Sequence, residues 1–206
     1  MWGTRGQPLP VERCTPEEYL ALERCADERH EFYHGEVFAV SGRTPDHSLI
    51  ISNVNGELGN RQKGKPCRVY ESNLRVRIPR TAHYAYPDAS VICGEREFDP
   101  LDSRKETVTN PALIVEVLSP STEAWDRGGK FQSYRQIASL REYVLVSSDK
   151  PLVETFLRQE NGSWSLYSFA GLTGRAKLAL LGIELDLAEV YSGVQFPANL
   201  TDATAG

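Results

Sequence analysis

A chain of 206 residues, 40% apolar and 25% charged, is long enough to enclose a core in one domain, and its globular composition excludes collagen-like and intrinsically disordered classes. The formal charge of −5 argues against wholesale nucleic-acid binding, which needs Lys and Arg at the phosphates, although the distribution of charge matters more than its sum. No apolar run approaches the roughly 18 residues that span a bilayer, and the opening MWGTRGQPLPVERC lacks a secretory apolar stretch, so a cytoplasmic protein with no membrane contact is expected.

Thr15-Pro16-Glu17-Glu18 combines a capping Thr, a Pro at the first helical position and a Glu three residues after the cap, which predicts a helix of about three turns. Residues 31–40, EFYHGEVFAV, are aromatic and β-branched around a Gly and predict a bent strand or tight hairpin. From Pro45-Asp46-His47, apolar residues recur at helical spacing through Leu58, predicting a second helix to about Arg61.

Cys67–Tyr70 and Leu74–Ile78 read as short strands, and alternation in the second sets Leu74, Val76 and Ile78 opposite Arg75 and Arg77. Between residues 61 and 80 seven basic residues face a single acid, Glu71, so this stretch is either a solvated charged face or a phosphate track beside a catalytic site. Two continuous apolar runs, Ala89–Cys93 and Ala112–Leu118, suit central strands covered on both faces. Residues 124–138 look helical despite Gly128 and Gly129. Tyr143–Val146 is another buried strand, and Val153–Leu157 with Trp164–Phe169 form a hairpin turned by Asn161-Gly162. A short helix over Leu185–Tyr191 and a frayed tail from Pro197 close the chain. The sum is one α/β domain over residues 1–206, with a mixed sheet and helices packed on it. The four cysteines, Cys14, Cys25, Cys67 and Cys93, show neither CxxC nor ligand spacing and read as reduced thiols.

Glu116 carries the most information, because ALIVEVL buries a carboxylate inside an apolar strand, where an unpaired charge costs several kcal/mol (~). Its compensation is either a structural ion pair or a metal or catalytic role. Asp88, fixed by Pro87 at the entry to ASVIC, is a turn residue alone but, beside Glu116, half of an oxygen site for a hard divalent cation. Lys130 shares an inward helical stripe with Tyr134 and Ile137. It either bridges to Asp126 at i−4 or supplies an ammonium that orients attacking water or stabilises charge on phosphate. His47 reads as a capping or packing residue near a helix start.

The stretches FYHGEVFAV followed by His47, YPDASVIC, LIVEVLSPSTEAWDRGGKFQSYRQI and REYVLVS resemble, in order and spacing, the restriction-endonuclease-like superfamily with its PD-(D/E)XK motif, and within it the bacterial Uma-type "putative" restriction endonucleases. The resemblance covers residues from Thr15 to Leu157 and implies a restriction-endonuclease-like core, with a mixed central sheet flanked by helices. It implies a Mg²⁺- or Mn²⁺-dependent endonuclease acting on DNA, with Asp88 and Glu116 as metal-binding acids and Glu36 as a further acid near the metal. Leu118 stands where the superfamily's lysine is found, so Lys130 is inferred to supply the ammonium from the neighbouring helix. Arg75 and Arg77 are the expected grips on backbone phosphates, and cleavage of both strands by a one-site domain implies a homodimer. The alternative is a nucleic-acid or protein-binding module that keeps the nuclease fold without turnover.

Overall fold

The structure, a computed structural model, describes residues 13–40 and 44–196; the tail expected to fray from Pro197 lies outside the described residues. Helix α1 (Pro16–Glu23) starts as the sequence predicts, with the Glu18 amide donating to Thr15 Oγ1 at 3.3 Å and the Thr15 amide to Glu18 Oε2 at 2.7 Å. Strands β1 (His30–Tyr33) and β2 (Glu36–Ala39) form the expected hairpin. Its turn residues His34 and Gly35 both take positive φ, 51° and 87°, which matches the twist of the flanking strands. Helix α2 (Pro45–Gln62) is capped by Thr44 and buries Ile50, Val54 and Leu58 along one face.

Strands β3 (Cys67–Glu71) and β4 (Arg75–Ile78) follow, then a 3₁₀ turn over Pro79–Thr81 and strands β5 (His83–Ala85), β6 (Ala89–Cys93), β7 (Thr107–Val108) and β8 (Leu113–Leu118). The segment expected to be one helix is divided into α3 (Glu123–Trp125), a π turn (Asp126–Lys130) and α4 (Phe131–Tyr134). Strands β9 (Glu142–Ser147), β10 (Leu152–Arg158), β11 (Trp164–Ala170), β12 (Arg175–Leu178) and β13 (Ile183–Asp186) precede α5 (Leu187–Val190). Leu185 and Asp186, expected in the last helix, pair instead with Ala176 and Arg175 across the β12–β13 hairpin.

The central sheet has six strands in the order β11-β10-β9-β8-β6-β3, with β8 and β9 parallel and the other pairs antiparallel. It is the mixed sheet the sequence predicts. Pleat alternation separates its two faces. Leu113, Val115 and Val117 pack with α2 and α5, whereas Ile114 and Leu118 pack with Tyr134, Ile137 and Tyr143. A second sheet, β2-β1-β5-β4-β7, carries Phe32 and Tyr84, which join Tyr19 of α1 in a separate aromatic cluster.

Cys67 and Cys93 correct the reading of four reduced thiols. They stand opposite each other in the antiparallel β3–β6 register, with Cα atoms 4.0 Å apart, and form a disulfide. Long-range strand pairing created this proximity, and cysteine spacing carries no trace of it. Cys14 and Cys25 are free.

Candidate active site

The β6–β8 register pairs Ala89 with Val115, and its next step sets Asp88 across from Glu116 at the point where β6 begins. Asp88 is anchored there by backbone, its Oδ2 accepting the Val117 amide at 2.7 Å and its carbonyl accepting Asn55 Nδ2 at 3.2 Å. His47, on the first turn of α2, brings Nε2 to 3.8 Å from the same Oδ2. Its amide donates to the Thr44 cap at 3.2 Å, so a capped helix start and the carboxylate meet at one place.

Lys130 closes the site from the helical side. Its Nζ lies 2.9 Å from Glu116 Oε1, 3.1 Å from Glu31 Oε1 and 3.6 Å from Asp126 Oδ1. The i,i+4 bridge from Lys130 to Asp126 is therefore present, together with the ion pair that was one of the two readings of Glu116. Tyr134 Oη donates to Glu116 Oε1 at 2.8 Å, and Tyr143 Oη donates to the Asp126 carbonyl at 3.0 Å. The π turn, a form often found at functional sites, keeps Asp126 and Lys130 both buried on the sheet side. Gly129 is required within it, because a Cβ there would overlap the Trp125 ring, which packs edge-on against Tyr33 at 5.1 Å.

Charge in this pocket is unbalanced. Three carboxylates surround one ammonium, and Asp88 adds its field to both Glu116 and Asp126. Burial pushes the Glu116 carboxyl well above the usual range against the pull of Lys130, and the neighbouring acids push it further. Burial likewise pushes Asp126 up to about 6, with Lys130 opposing. Desolvation works against the Lys130 charge too, but Glu116, Glu31 and Asp126 outweigh it and hold the ammonium well above the ordinary lysine range.

Among the described residues, no three His, Cys, Asp or Glu side chains converge as a ready-made metal cage. The donor chemistry nevertheless fits a hard divalent cation, which takes oxygen ligands and retains several waters. Asp88 and Glu116 would hold it, and its charge would offset the excess of acids.

Other expected residues lie elsewhere. Glu36 sits at the hairpin end with its side chain 41% exposed, 3.8 Å from Arg13, and the acid that β1 delivers to Lys130 is Glu31. Arg75 and Arg77 are turned inward. Arg75, 3% exposed, donates to Thr107 Oγ1 at 2.7 Å, Tyr86 Oη at 3.1 Å and Asp102 Oδ2 at 3.2 Å. Arg77 pairs with Asp99, which also accepts Tyr84 Oη at 2.8 Å. Neither guanidinium is displayed for a phosphate. Glu31 and Asp126 were missed as site members; Asp126 had a local signal in its i,i+4 spacing to Lys130, while Glu31 had none, since only the packing of β1 beside the helix brings it there.

The comparisons with known proteins agree with this architecture. A family model, Uma2, described as "Putative restriction endonuclease", matches residues 16–188. The chain is similar to two proteins of Synechocystis sp. One, "Uncharacterized protein slr1290", is 36% identical over 189 residues, covering 91% of this chain and 96% of that one. The other, "Uncharacterized protein sll1609", is 33% identical over 173 residues, covering 82% and 94%. A crystal structure from Anabaena variabilis, described as "a putative nuclease belonging to DUF820", shares the fold with a TM-score of 0.71 at 17% identity, over 88% of this chain and 99% of that one. Among the described residues no helix is long and apolar enough to cross a membrane.

Proposed function

The chain belongs to the Uma2 family, described as "putative restriction endonuclease", and from that premise we propose that it is a metal-dependent endonuclease hydrolysing phosphodiester bonds of DNA. The observation that carries the reading is the Lys130 ammonium 2.9 Å from Glu116, with Asp88 fixed one strand away by the Val117 amide. An acid pair on adjacent strands beside a buried cationic side chain supplies the parts that phosphodiester hydrolysis requires.

Asp88 and Glu116 are the residues that would hold Mg²⁺ or Mn²⁺, which, when bound, polarises phosphate and lowers the pKa of an attacking water. Tyr134 orients the Glu116 carboxylate through its 2.8 Å hydrogen bond. The surrounding carboxylates favour the charged form of Lys130, and its ammonium stabilises negative charge that develops on phosphate oxygens in the transition state. Glu31 and Asp126 hold the ammonium in place, so that Asp88 and Glu116 are the acids that would hold the cation. Cleavage of both strands by a one-site chain makes a homodimer part of this reading, as is a cytoplasmic setting.

The test is cleavage of supercoiled plasmid and of labelled oligonucleotides in Mg²⁺ or Mn²⁺ against chelator. Cleavage should need the metal and vanish in Asp88→Asn and Glu116→Gln. Activity that survives chelator, or that Asp88→Asn retains, sinks the reading. A binding module without turnover is the second reading, favoured by the closure of Lys130 within three carboxylates; DNA binding with no cleavage under either metal is its signature.

A further inference from the structure

Arg80, Arg135 and Arg158 come from three separated parts of the chain, the 3₁₀ turn after β4, the end of α4 and the end of β10, yet they line one cavity of about 560 Å³ together with Gln136, Gly162 and Trp164. Among the described residues none of the three guanidiniums has a carboxylate within ion-pair range. Arg80 and Arg135 are exposed, and three guanidiniums without carboxylate partners around one cavity make a local positive patch in an acidic protein, a site that attracts anions.

The cavity is partly prebuilt. Arg158 Nη1 donates to the carbonyls of Ile137, Ala138 and Leu140 at 3.3, 3.4 and 3.5 Å, and its guanidinium lies 5.8 Å from the centre of the Trp164 ring. Phe131 meets the same ring edge-on at 5.3 Å. Trp164 is thus engaged by protein, and what the cavity offers a ligand is charge and planar donors rather than a stacking platform. Guanidiniums match phosphate oxygens in a fork geometry. They recognise the backbone of a nucleic acid and not its bases.

Position connects the cavity to the acid site. Lys130 and Arg135 lie on one helical segment, five residues or about 7–8 Å apart along its axis, and Tyr134 between them touches Glu116.

We infer that the Arg80–Arg135–Arg158 cavity binds backbone phosphates of the DNA strand that enters the Asp88–Glu116–Lys130 site, and so performs the gripping role that the inward-facing Arg75 and Arg77 do not. The inference rests on the nuclease reading for the identity of the strand. The binding itself needs neither metal nor turnover.

The experiment therefore measures binding in chelator. Fluorescently labelled single-stranded and duplex oligonucleotides of unrelated sequence are titrated with wild type, Arg80→Gln/Arg135→Gln and Arg80→Lys/Arg135→Lys across a range of salt. Both residues are exposed, so melting curves should coincide. The Gln pair should bind every sequence at least 10-fold more weakly, with a salt slope shallower by up to about 2, since each duplex phosphate contact contributes about 0.9. The Lys pair should recover part of the affinity. Equal affinity and slope in the Gln pair, or no binding by wild type at low salt, overturns the inference. So does binding of inorganic phosphate alone at this cavity with no response to the oligonucleotide. Loss of binding in the Gln pair without any cleavage by wild type in metal would keep the phosphate site and remove the nuclease reading; cleavage that the Gln pair retains at wild-type affinity would do the reverse.

Discussion

Arg75 and Lys130 are both buried cations, 3% and 6% exposed, but they meet different surroundings. Arg75 shares Asp102 with Thr107 and with the amides of Arg104 and Glu106, while Arg77 shares Asp99 with Tyr84 and the Leu101 amide. Arg24 also reaches Asp102 at 3.5 Å and Glu106 reaches Arg75 at 4.0 Å, so cations and acids are matched around Asp102, and neutral donors meet further lone pairs. Lys130 instead faces Glu116, Glu31 and Asp126 at once. Burial of a balanced pair is a structural solution, stable if every lone pair is met. An excess of acids leaves carboxylate charge that a second cation would offset.

The sharpest way to break that contrast is Lys130→Met. It should cut metal-dependent cleavage on the order of 10²-fold or more. Melting in chelator should also show a loss of roughly 3–5 kcal/mol, because three buried carboxylates lose their counter-charge. Mg²⁺ or Mn²⁺ should restore part of this loss. Full activity in the variant would take Lys130 out of the site.

Next in size is Arg75→Met, with a loss of roughly 1.5–3 kcal/mol, since Asp102 loses its charged hydrogen bond from Arg75 but keeps Arg24 at 3.5 Å. Here neither metal should give any relief beyond the shift it gives wild type. A metal-dependent rescue specific to this variant would erase the distinction between the two clusters.

Glu116→Gln is the next probe. Lys130 keeps Glu31 and Asp126, and Glu116 is held well above the usual carboxyl range by burial and its acidic neighbours, so metal-free stability should change by about 1 kcal/mol or less. Cleavage and the thermal stabilisation by metal should disappear. A large destabilisation in chelator, with no metal shift in wild type, would mark Glu116 as a plain ion-pair partner.

Acid titration separates the clusters by sign. Burial works to raise Asp102, but the Thr107 hydroxyl, the backbone amides of Arg104 and Glu106 and the Arg75 charge outweigh it and bring the carboxyl below its ordinary value. A group depressed in the folded state contributes stability above its unfolded pKa of about 3.9, and this is lost as pH falls through the folded value. Wild type should therefore lose stability below about pH 4 more steeply than Asp102→Asn, whose loss is already present at neutral pH; parallel acid limbs in urea denaturation would contradict it. The smallest effect should come from Glu36→Gln, whose exposed pairing with Arg13 predicts a change within about 0.5 kcal/mol and unchanged cleavage.

What the sequence revealed of the site was whatever periodicity and chain order carry. ALIVEVL announces a buried acid, YPDAS sets another at a strand entry, and the stripe of Lys130, Tyr134 and Ile137 turns a lysine inward; all three side chains of that stripe are buried in the structure. The helices from Pro16 and Pro45 and the Asn-Gly hairpin were legible through caps and turn residues of local origin. Contacts made by the returning chain were not. Alternation correctly separated Arg75 and Arg77 from Val76, but it could not show that the loop carrying Asp99 and Asp102 folds over that face. The same blindness hid the Cys67–Cys93 pairing and the arrival of Glu31, and the second sheet was missed because β5 and β7 have only three and two residues.

The π turn at Asp126–Lys130 makes length, as well as identity, a determinant of the site. Such a turn accommodates one residue more than an α-helical turn, and each α-helical residue rotates the chain by about 100°. Removing one glycine from this stretch would restore ordinary winding and change the spacing of Asp126 and Lys130 from i,i+4 to i,i+3, which keeps them on one face but resets their offset toward Glu116. A point substitution at Gly128 leaves that spacing intact, whereas a single-codon deletion there would shift Lys130 against Asp126 and Glu116 without altering any of the three residues.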